Sequence, residues 1–209
     1  MYRPAFYLAI ILASLLPSMI PEWASAFIFD RRAVFSGEIW RIFTGHFVHF
    51  SYTHLAYNLI AFCVVSYVIE RKKYPNLYLL YFFLSLLIST SLIILKPGMT
   101  YYGGLSGIVY GFLYYCALMG IKDPRPWQTI CILTLLFLPI KIAAEIYNST
   151  PALLHFENQL FIPMQTSHIT GCLAAVFFYF MTKTKQALIN HPTNTKRLDS
   201  LPSPPSLAR

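Results

Sequence analysis

Tyr102-Gly103-Gly104-Leu105-Ser106-Gly107 stands at the start of an apolar run that extends to about Ile121. Glycine leaves room for another backbone beside a serine hydroxyl, and the first turn of a helix has N–H groups without an intrahelical partner. Such N–H groups can stabilise a developing oxyanion. The stretch therefore predicts an apolar helix that begins at a nucleophile, Ser106, although serine is also a common small residue in tight helix contacts within membranes.

The composition indicates a polytopic membrane protein. Hydrophobic residues make up 56% of the 209 residues and charged residues only 11%, which is too apolar for one water-soluble globule. Four cysteines lie inside apolar segments without a CxxC partner or a histidine at metal spacing, so we interpret them as reduced packing residues. They are Cys63, Cys116, Cys131 and Cys172. The sequence predicts no metal and no cofactor.

Six apolar segments are each roughly long enough to cross a bilayer, which predicts an all-α membrane protein with six transmembrane helices. They cover residues 4–20, 53–69, 76–95, 106–121, 127–146 and 164–182. Residues 21–51 are predicted to form a long interfacial first loop. One transmembrane domain then covers 1–183, and the basic, Ser- and Pro-containing tail 184–209 is predicted to be disordered.

The first segment has a second interpretation. Ala24-Ser25-Ala26 resembles a signal-peptidase site, so residues 4–20 are either a cleaved signal peptide or a retained helix. The length of the apolar run favours the retained helix.

The distribution of basic residues predicts the orientation. The net charge of +8 comes from short loops and the tail, which indicates contact with an anionic lipid surface and no nucleic-acid partner. With both termini in the cytoplasm, 11 Lys and Arg residues lie inside and 4 outside. Spans two, four and six then all run inward from the outer face.

Polar side chains on those three spans are predicted to meet at one depth. His54 and Asn58 open the second span, Ser106 opens the fourth, and His168 lies near the start of the sixth. Buried polar groups in a membrane face one another or a wet cavity. His54 as a helix cap and Asn58 as a simple interhelical bond are the structural alternatives.

Small residues favour close approach of the fourth and sixth spans. Gly107 and Gly111 form a GxxxG pattern, and Gly171 and Ala175 form a second small pair on the face that carries His168. A histidine within hydrogen-bond reach of a serine can act as its general base. The pattern predicts a Ser106/His168 dyad.

These residues resemble the rhomboid family of intramembrane serine proteases over about residues 38–175. Gly104-Leu105-Ser106-Gly107 is similar to the family's GxSG, and His168 with Gly171 to its last-helix histidine. His54-Leu55-Ala56-Tyr57-Asn58 is similar to its HxxxN, and Trp40-Arg41 to the Trp-Arg of its first loop.

The resemblance implies roles for individual residues. Ser106 would attack the scissile carbonyl and His168 would carry the proton, with no acidic third member. His54, Asn58 and the backbone N–H groups of Ser106 and Leu105 would hold the oxyanion.

Supporting positions also follow from the resemblance. Tyr110 matches a tyrosine whose ring supports the histidine, although packing alone would also explain it. His49 matches a structural histidine of the first loop, and His46 is interpreted as satisfying loop carbonyls. The family implies a transmembrane or membrane-anchored protein substrate that unwinds locally, with the loop 147–163 and the end of span five as the gate.

The compact chain also resembles the rhombosortase branch, which processes proteins with C-terminal GlyGly-type anchors, although that branch has histidine where this chain has Tyr110. The expected location is a bacterial inner membrane. Two other classes stay open, namely a catalytically inactive rhomboid relative that binds membrane proteins and a small transporter. The absence of inverted repeats disfavours the transporter.

Lys141 and Glu145 are charges inside the fifth span, where charges are costly. Their i, i+4 spacing near the outer end of the helix predicts a structural pair that bonds internally and reaches toward the interface. A Ser106/Lys141 dyad is the alternative.

Overall fold

The computed structural model describes residues 4–148 and 164–190, and these form a helical bundle with one small pair of strands. The helices are α1 (Pro4–Met19), α2 (Pro21–Phe27), α3 (Arg31–Phe35), α4 (Arg41–Thr44), α5 (Tyr52–Arg71), α6 (Leu77–Leu95), α7 (Ser106–Gly120), α8 (Trp127–Asn148) and α9 (Gln165–Asn190). A 3-10 turn covers Gly45–Phe47, and the strands are β1 (Phe29–Asp30) and β2 (Tyr101–Tyr102).

Several of these helices can cross a bilayer. Among the described residues, α5, α6 and α8 are long and apolar enough, and α1 with α2 meets the same criterion as a pair bent by 117°. The helix α7 is apolar but has only 15 residues, so at 1.5 Å per residue it spans about 22 Å of a hydrocarbon core of about 30 Å. The protein is an all-α integral membrane protein, as the apolar segments predicted.

The helix α7 lies at the centre of the bundle and packs against α5, α6, α8 and α9. Its closest neighbour is α9, and glycines make this proximity possible. A Cβ on Gly171 would overlap the carbonyl oxygen of Gly107, and one on Gly111 would lie 3.0 Å from the carbonyl oxygen of Gly171. The backbones of α7 and α9 therefore touch at the level of the small residues.

The first loop, 21–51, contains short helices that polar side chains link to one another. The Arg41 guanidinium donates to the Ser25 and Ile28 carbonyls at 2.7 and 2.8 Å and pairs with Glu38 at 2.7 Å. Trp40 is half exposed and donates to the Ala26 carbonyl at 3.4 Å. Trp40 and Arg41 thus make hydrogen bonds within the first loop.

The two strands join this loop to the segment before Ser106. Phe29 pairs with Tyr102 and Asp30 with Tyr101 in antiparallel register, and the Arg31 N–H donates to the Thr100 carbonyl at 2.9 Å. Such a short pair carries no alternating pattern, and the sequence did not predict it. The strand pair fixes the position of the segment before Ser106 relative to the first loop, and therefore the point at which α7 begins.

The last helix is longer than the predicted sixth span. The helix α9 runs to Asn190, eight residues beyond the predicted end of that span at about 182 and into the predicted tail. Residues 184–190 contain no proline or glycine, and Pro192 is the first residue that cannot continue a helix. The rest of the predicted tail, 191–209, lies outside the described residues, as does the predicted gate loop from 149 to 163.

The four cysteines are free thiols. Three of them are buried and Cys63 is partly buried. Their positions on α5, α7, α8 and α9 place them among the apolar contacts between helices.

Candidate active site

The segment before Ser106 is shaped by its glycines. Gly104 has φ of +131°, a conformation that side chains rarely adopt. Its N–H donates to the Gly45 carbonyl at 3.3 Å, and its carbonyl accepts from the Tyr102 hydroxyl at 3.1 Å. The chain thereby turns into α7, and Ser106 becomes the first residue of that helix.

Ser106 and His168 are in contact. The Ser106 Oγ lies 3.0 Å from the His168 Nε2, and His168 is buried on α9 three residues before Gly171. The glycine contact between α7 and α9 brings the two side chains together, since a larger residue at Gly171 would separate the helices. The arrangement allows the imidazole to accept the hydroxyl proton.

Tyr110 lies one turn after Ser106 and covers one face of the histidine. The two rings are parallel within 6°, with their centroids 4.1 Å apart. The stacking restricts the plane of the imidazole. The contact that packs Tyr110 in the bundle is therefore also the contact that supports the His168 ring.

Glu145 contacts His168, although the sequence predicted only its pairing with Lys141. Its Oε2 lies 2.9 Å from the His168 Nδ1, on the side of the ring opposite Ser106. The family resemblance implied no acidic third member, and here a carboxylate lies within hydrogen-bond distance of the histidine. The high cost of a glutamate inside an apolar span was the signal that could have found it.

Lys141 forms the predicted i, i+4 contact with Glu145. Its Nζ also contacts the Tyr110 hydroxyl, which in turn donates to the Glu145 Oε1 at 3.1 Å. The group in hydrogen-bond contact with Ser106 is His168. The geometry therefore favours His168 over Lys141 as the base.

His54 and Asn58 lie on the face of α5 that packs against α7, and both are buried. The His54 ring contacts Gly104, where a Cβ would lie 3.1 Å from the His54 Cε1. Ser51 caps α5 by accepting from the His54 N–H at 3.2 Å, so the imidazole is not the cap. The Asn58 Nδ2 has no hydrogen-bond partner within the described part of the chain.

The Leu105 N–H is not available for an oxyanion in this structure. It donates to the His49 Nε2 at 3.3 Å, while the other ring nitrogen, Nδ1, lies 2.9 Å from the Phe47 carbonyl oxygen. These two contacts define a neutral His49 with its proton on Nδ1. The Ser106 N–H, by contrast, belongs to the first turn of α7, where the helix supplies no acceptor.

His46 and His49 are neutral because they are buried. Burial lowers the pKa of each imidazole from 6.5 to about 4. The His46 Nε2 lies 3.2 Å from the Ser85 carbonyl and 3.1 Å from the Ser89 hydroxyl, which joins the first loop to α6. The contacts of the first loop with α6 and with Leu105 thus involve two uncharged imidazole rings.

A pH dependence of stability follows from these rings. Between about pH 6.5 and pH 4 the unfolded chain binds protons that the folded chain excludes, so stability falls as the pH falls. The expected loss is at most about 1.4 kcal/mol per pH unit for each histidine. Thermal unfolding in detergent between pH 7.5 and pH 5 measures it, and His46→Gln, which keeps a donor without titrating, should flatten the slope. A midpoint that is constant over this window would contradict the assignment.

Comparison with known proteins matches the sequence of this chain to a described family. The model of the Rhomboid domain matches residues 36–185. The Rhomboid protease GlpG of Salmonella newport (strain SL254) is 33% identical over 88 residues, which are 42% of this chain and 32% of that protein. The Rhomboid protease GlpG of Salmonella typhi shows the same identity and coverage. The chain spans about a third of the length of these curated relatives.

Proposed function

The chain belongs to the rhomboid family, and from that premise we propose that it is an active serine endopeptidase that cuts membrane proteins within the bilayer. The observation that supports this most directly is the contact of 3.0 Å between the Ser106 Oγ and the His168 Nε2. A binding protein without activity has no need of this pairing. The rest of the site is arranged around the same two groups.

The proposed reaction begins with attack of the Ser106 Oγ on the scissile carbonyl carbon. As that bond forms, the hydroxyl proton passes to the His168 Nε2 and the carbonyl oxygen becomes an oxyanion. Collapse of this intermediate breaks the C–N bond, and the Nε2 proton goes to the leaving amine. Water then attacks the acyl-enzyme, with His168 taking its proton and returning one to Ser106.

The oxyanion would be held by donors around the start of α7. The Ser106 N–H, the Asn58 Nδ2 and the His54 ring are the groups that we assign to it. Asn58 supports the assignment most clearly, since its buried amide nitrogen lacks a partner among the described residues. One such donor contributes about 2.7–4 kcal/mol in comparable sites.

The proposed substrate is a transmembrane or membrane-anchored protein. A peptide bond inside a helix is shielded and hydrogen-bonded, so the substrate must unwind locally before Ser106 can attack it. The short α7 supports a site beneath the membrane surface, because one end of a helix of about 22 Å lies inside the hydrocarbon core.

The surrounding membrane and the subgroup are also proposals. We assign six crossings of a bacterial inner membrane. The distribution of Lys and Arg supports a cytoplasmic location of both termini, and with it a site near the outer face. The motifs Trp40-Arg41 and Gly104-Leu105-Ser106-Gly107 support the rhombosortase branch and substrates with C-terminal GlyGly-type anchors.

Ser106→Ala tests the proposed activity. Wild type and variant are co-expressed with a panel of anchored model substrates, which includes GlyGly-type anchors, and release of the soluble part is measured. In parallel, the purified proteins are treated with a fluorophosphonate probe for active serines. We expect release and labelling with wild type and neither with Ser106→Ala.

Release by both proteins, or labelling of neither, would contradict the proposal. Equal expression and equal thermal midpoints of the two proteins in detergent are the control. A wild-type protein that binds the panel without cutting it would instead support an inactive rhomboid relative.

A further inference from the structure

We propose that Glu145 is a positioning residue for His168, so that the site works as a serine–histidine–glutamate unit assembled from α7, α9 and α8. The inference rests on the proposed function. It concerns a residue that takes no part in bond making but determines which nitrogen of His168 faces Ser106.

The hydrogen bonds of His168 define its proton arrangement. A neutral imidazole has one donor nitrogen and one acceptor nitrogen. A carboxylate only accepts, so the Nδ1 at 2.9 Å from the Glu145 Oε2 carries the proton and donates it. The Nε2 then has a free lone pair, which points at the Ser106 hydroxyl at 3.0 Å. Glu145 thereby selects the form of histidine that can act as a base.

The carboxylate is itself held from its other oxygen. The Glu145 Oε1 accepts from the Tyr110 hydroxyl at 3.1 Å and contacts the Lys141 ammonium. Glu145 is almost completely buried, whereas the Lys141 side chain is one-fifth exposed. A buried charge persists only when it is paired and hydrogen-bonded. Lys141 and Tyr110 therefore keep the carboxylate ionised and fixed.

The imidazole is restrained in two independent ways. Stacking on Tyr110 fixes the plane of the ring, and the bond to Glu145 fixes its rotation within that plane. Each restraint comes from a different helix, since Tyr110 lies on α7 and Glu145 on α8. His168 is thus presented to Ser106 in one orientation without reorganisation during the reaction.

During the proposed reaction Glu145 neither gains nor loses a proton. When the Ser106 proton passes to Nε2, His168 becomes an imidazolium whose Nδ1 proton stays in place. The Glu145 carboxylate stabilises this positive charge and takes up no proton. The Nε2 proton then leaves with the amine, and the starting arrangement returns.

A structural ion pair between Lys141 and Glu145 is the simpler explanation, and the two explanations predict different results. Glu145→Gln is nearly isosteric but removes the negative charge, whereas Glu145→Asp keeps it. We expect kcat for a cleaved model substrate to fall about 10²- to 10⁴-fold in Glu145→Gln, with KM nearly unchanged. Glu145→Asp should recover at least a tenth of wild-type kcat. Glu22→Gln, an exposed glutamate on α2, is the matched control and should equal wild type.

A second measurement does not depend on turnover. The protein is labelled with ¹⁵N-histidine in a Ser106→Ala background, and the Nδ1 proton of His168 is observed by NMR. We expect a far-downfield proton resonance from the bond to Glu145, which disappears when Glu145→Gln is added and persists with Glu22→Gln.

A Glu145→Gln protein with kcat within threefold of wild type would overturn the inference and leave the proposed function intact. An unchanged Nδ1 proton resonance in that variant would overturn it as well. An inactive wild type would instead refute the proposed function, and the role of Glu145 in catalysis with it.

Discussion

Replacing Gly171 with alanine is expected to destabilise the bundle by about 3 kcal/mol or more. The new Cβ would overlap the Gly107 carbonyl oxygen, and a backbone atom cannot move aside as a flexible side chain can. The helices α7 and α9 would have to separate. For a chain of this size the thermal midpoint should fall by roughly 6–12 °C, measured in detergent by circular dichroism.

The same separation should remove activity, because it lengthens the distance between the Ser106 Oγ and the His168 Nε2. Gly98→Ala is the matched control. Gly98 is exposed, and a Cβ there would meet no atom within 4 Å, so stability should change by no more than about 0.5 kcal/mol. A Gly171→Ala protein as stable and active as Gly98→Ala would refute the close contact of the helices.

Replacing His168 with glutamine is expected to reduce the cleavage rate by at least about 10⁴-fold. The amide of glutamine cannot take up the Ser106 proton at neutral pH, so attack would depend on the rare serine alkoxide. The rate of cleavage of a model substrate in proteoliposomes measures the effect. Fluorophosphonate labelling of Ser106 should be lost together with it.

Asn58→Ala is expected to reduce the cleavage rate less than His168→Gln does. It removes one oxyanion donor and leaves the proton transfer in place, so the rate should fall only about 10²- to 10³-fold. Equal thermal midpoints of the two variants would exclude unfolding as the cause of either loss. A His168→Gln protein that retains more activity than Asn58→Ala would refute the role of the histidine as base.

The long apolar helices could be predicted because each is bounded by charge, proline or glycine. The segment predicted at 76–95 became α6, and Lys96-Pro97-Gly98 follows it directly. The meeting of Ser106 with His168 was also predictable. It depends on small residues spaced along two helices, and that spacing is visible in the chain.

Other features depend on distances that a sequence does not contain. The i, i+4 rule reports that Lys141 reaches Glu145, but the contact from Glu145 to His168 depends on the rotation of α8 relative to α9. The N–H of Leu105 was expected to be an oxyanion donor because the family resemblance implied that role. Only the folded first loop brings His49 within 3.3 Å of it.

The helix α8 has a smaller share of its surface buried than either α5 or α6, yet it supplies the carboxylate beside His168. A polypeptide that pushed this outer helix aside would also detach the carboxylate, and the imidazole would lose its preferred tautomer. Entry of a polypeptide and activation of Ser106 by His168 would then be sequential events. While α8 was displaced, Ser106 would be a poor nucleophile toward the ester groups of nearby lipids.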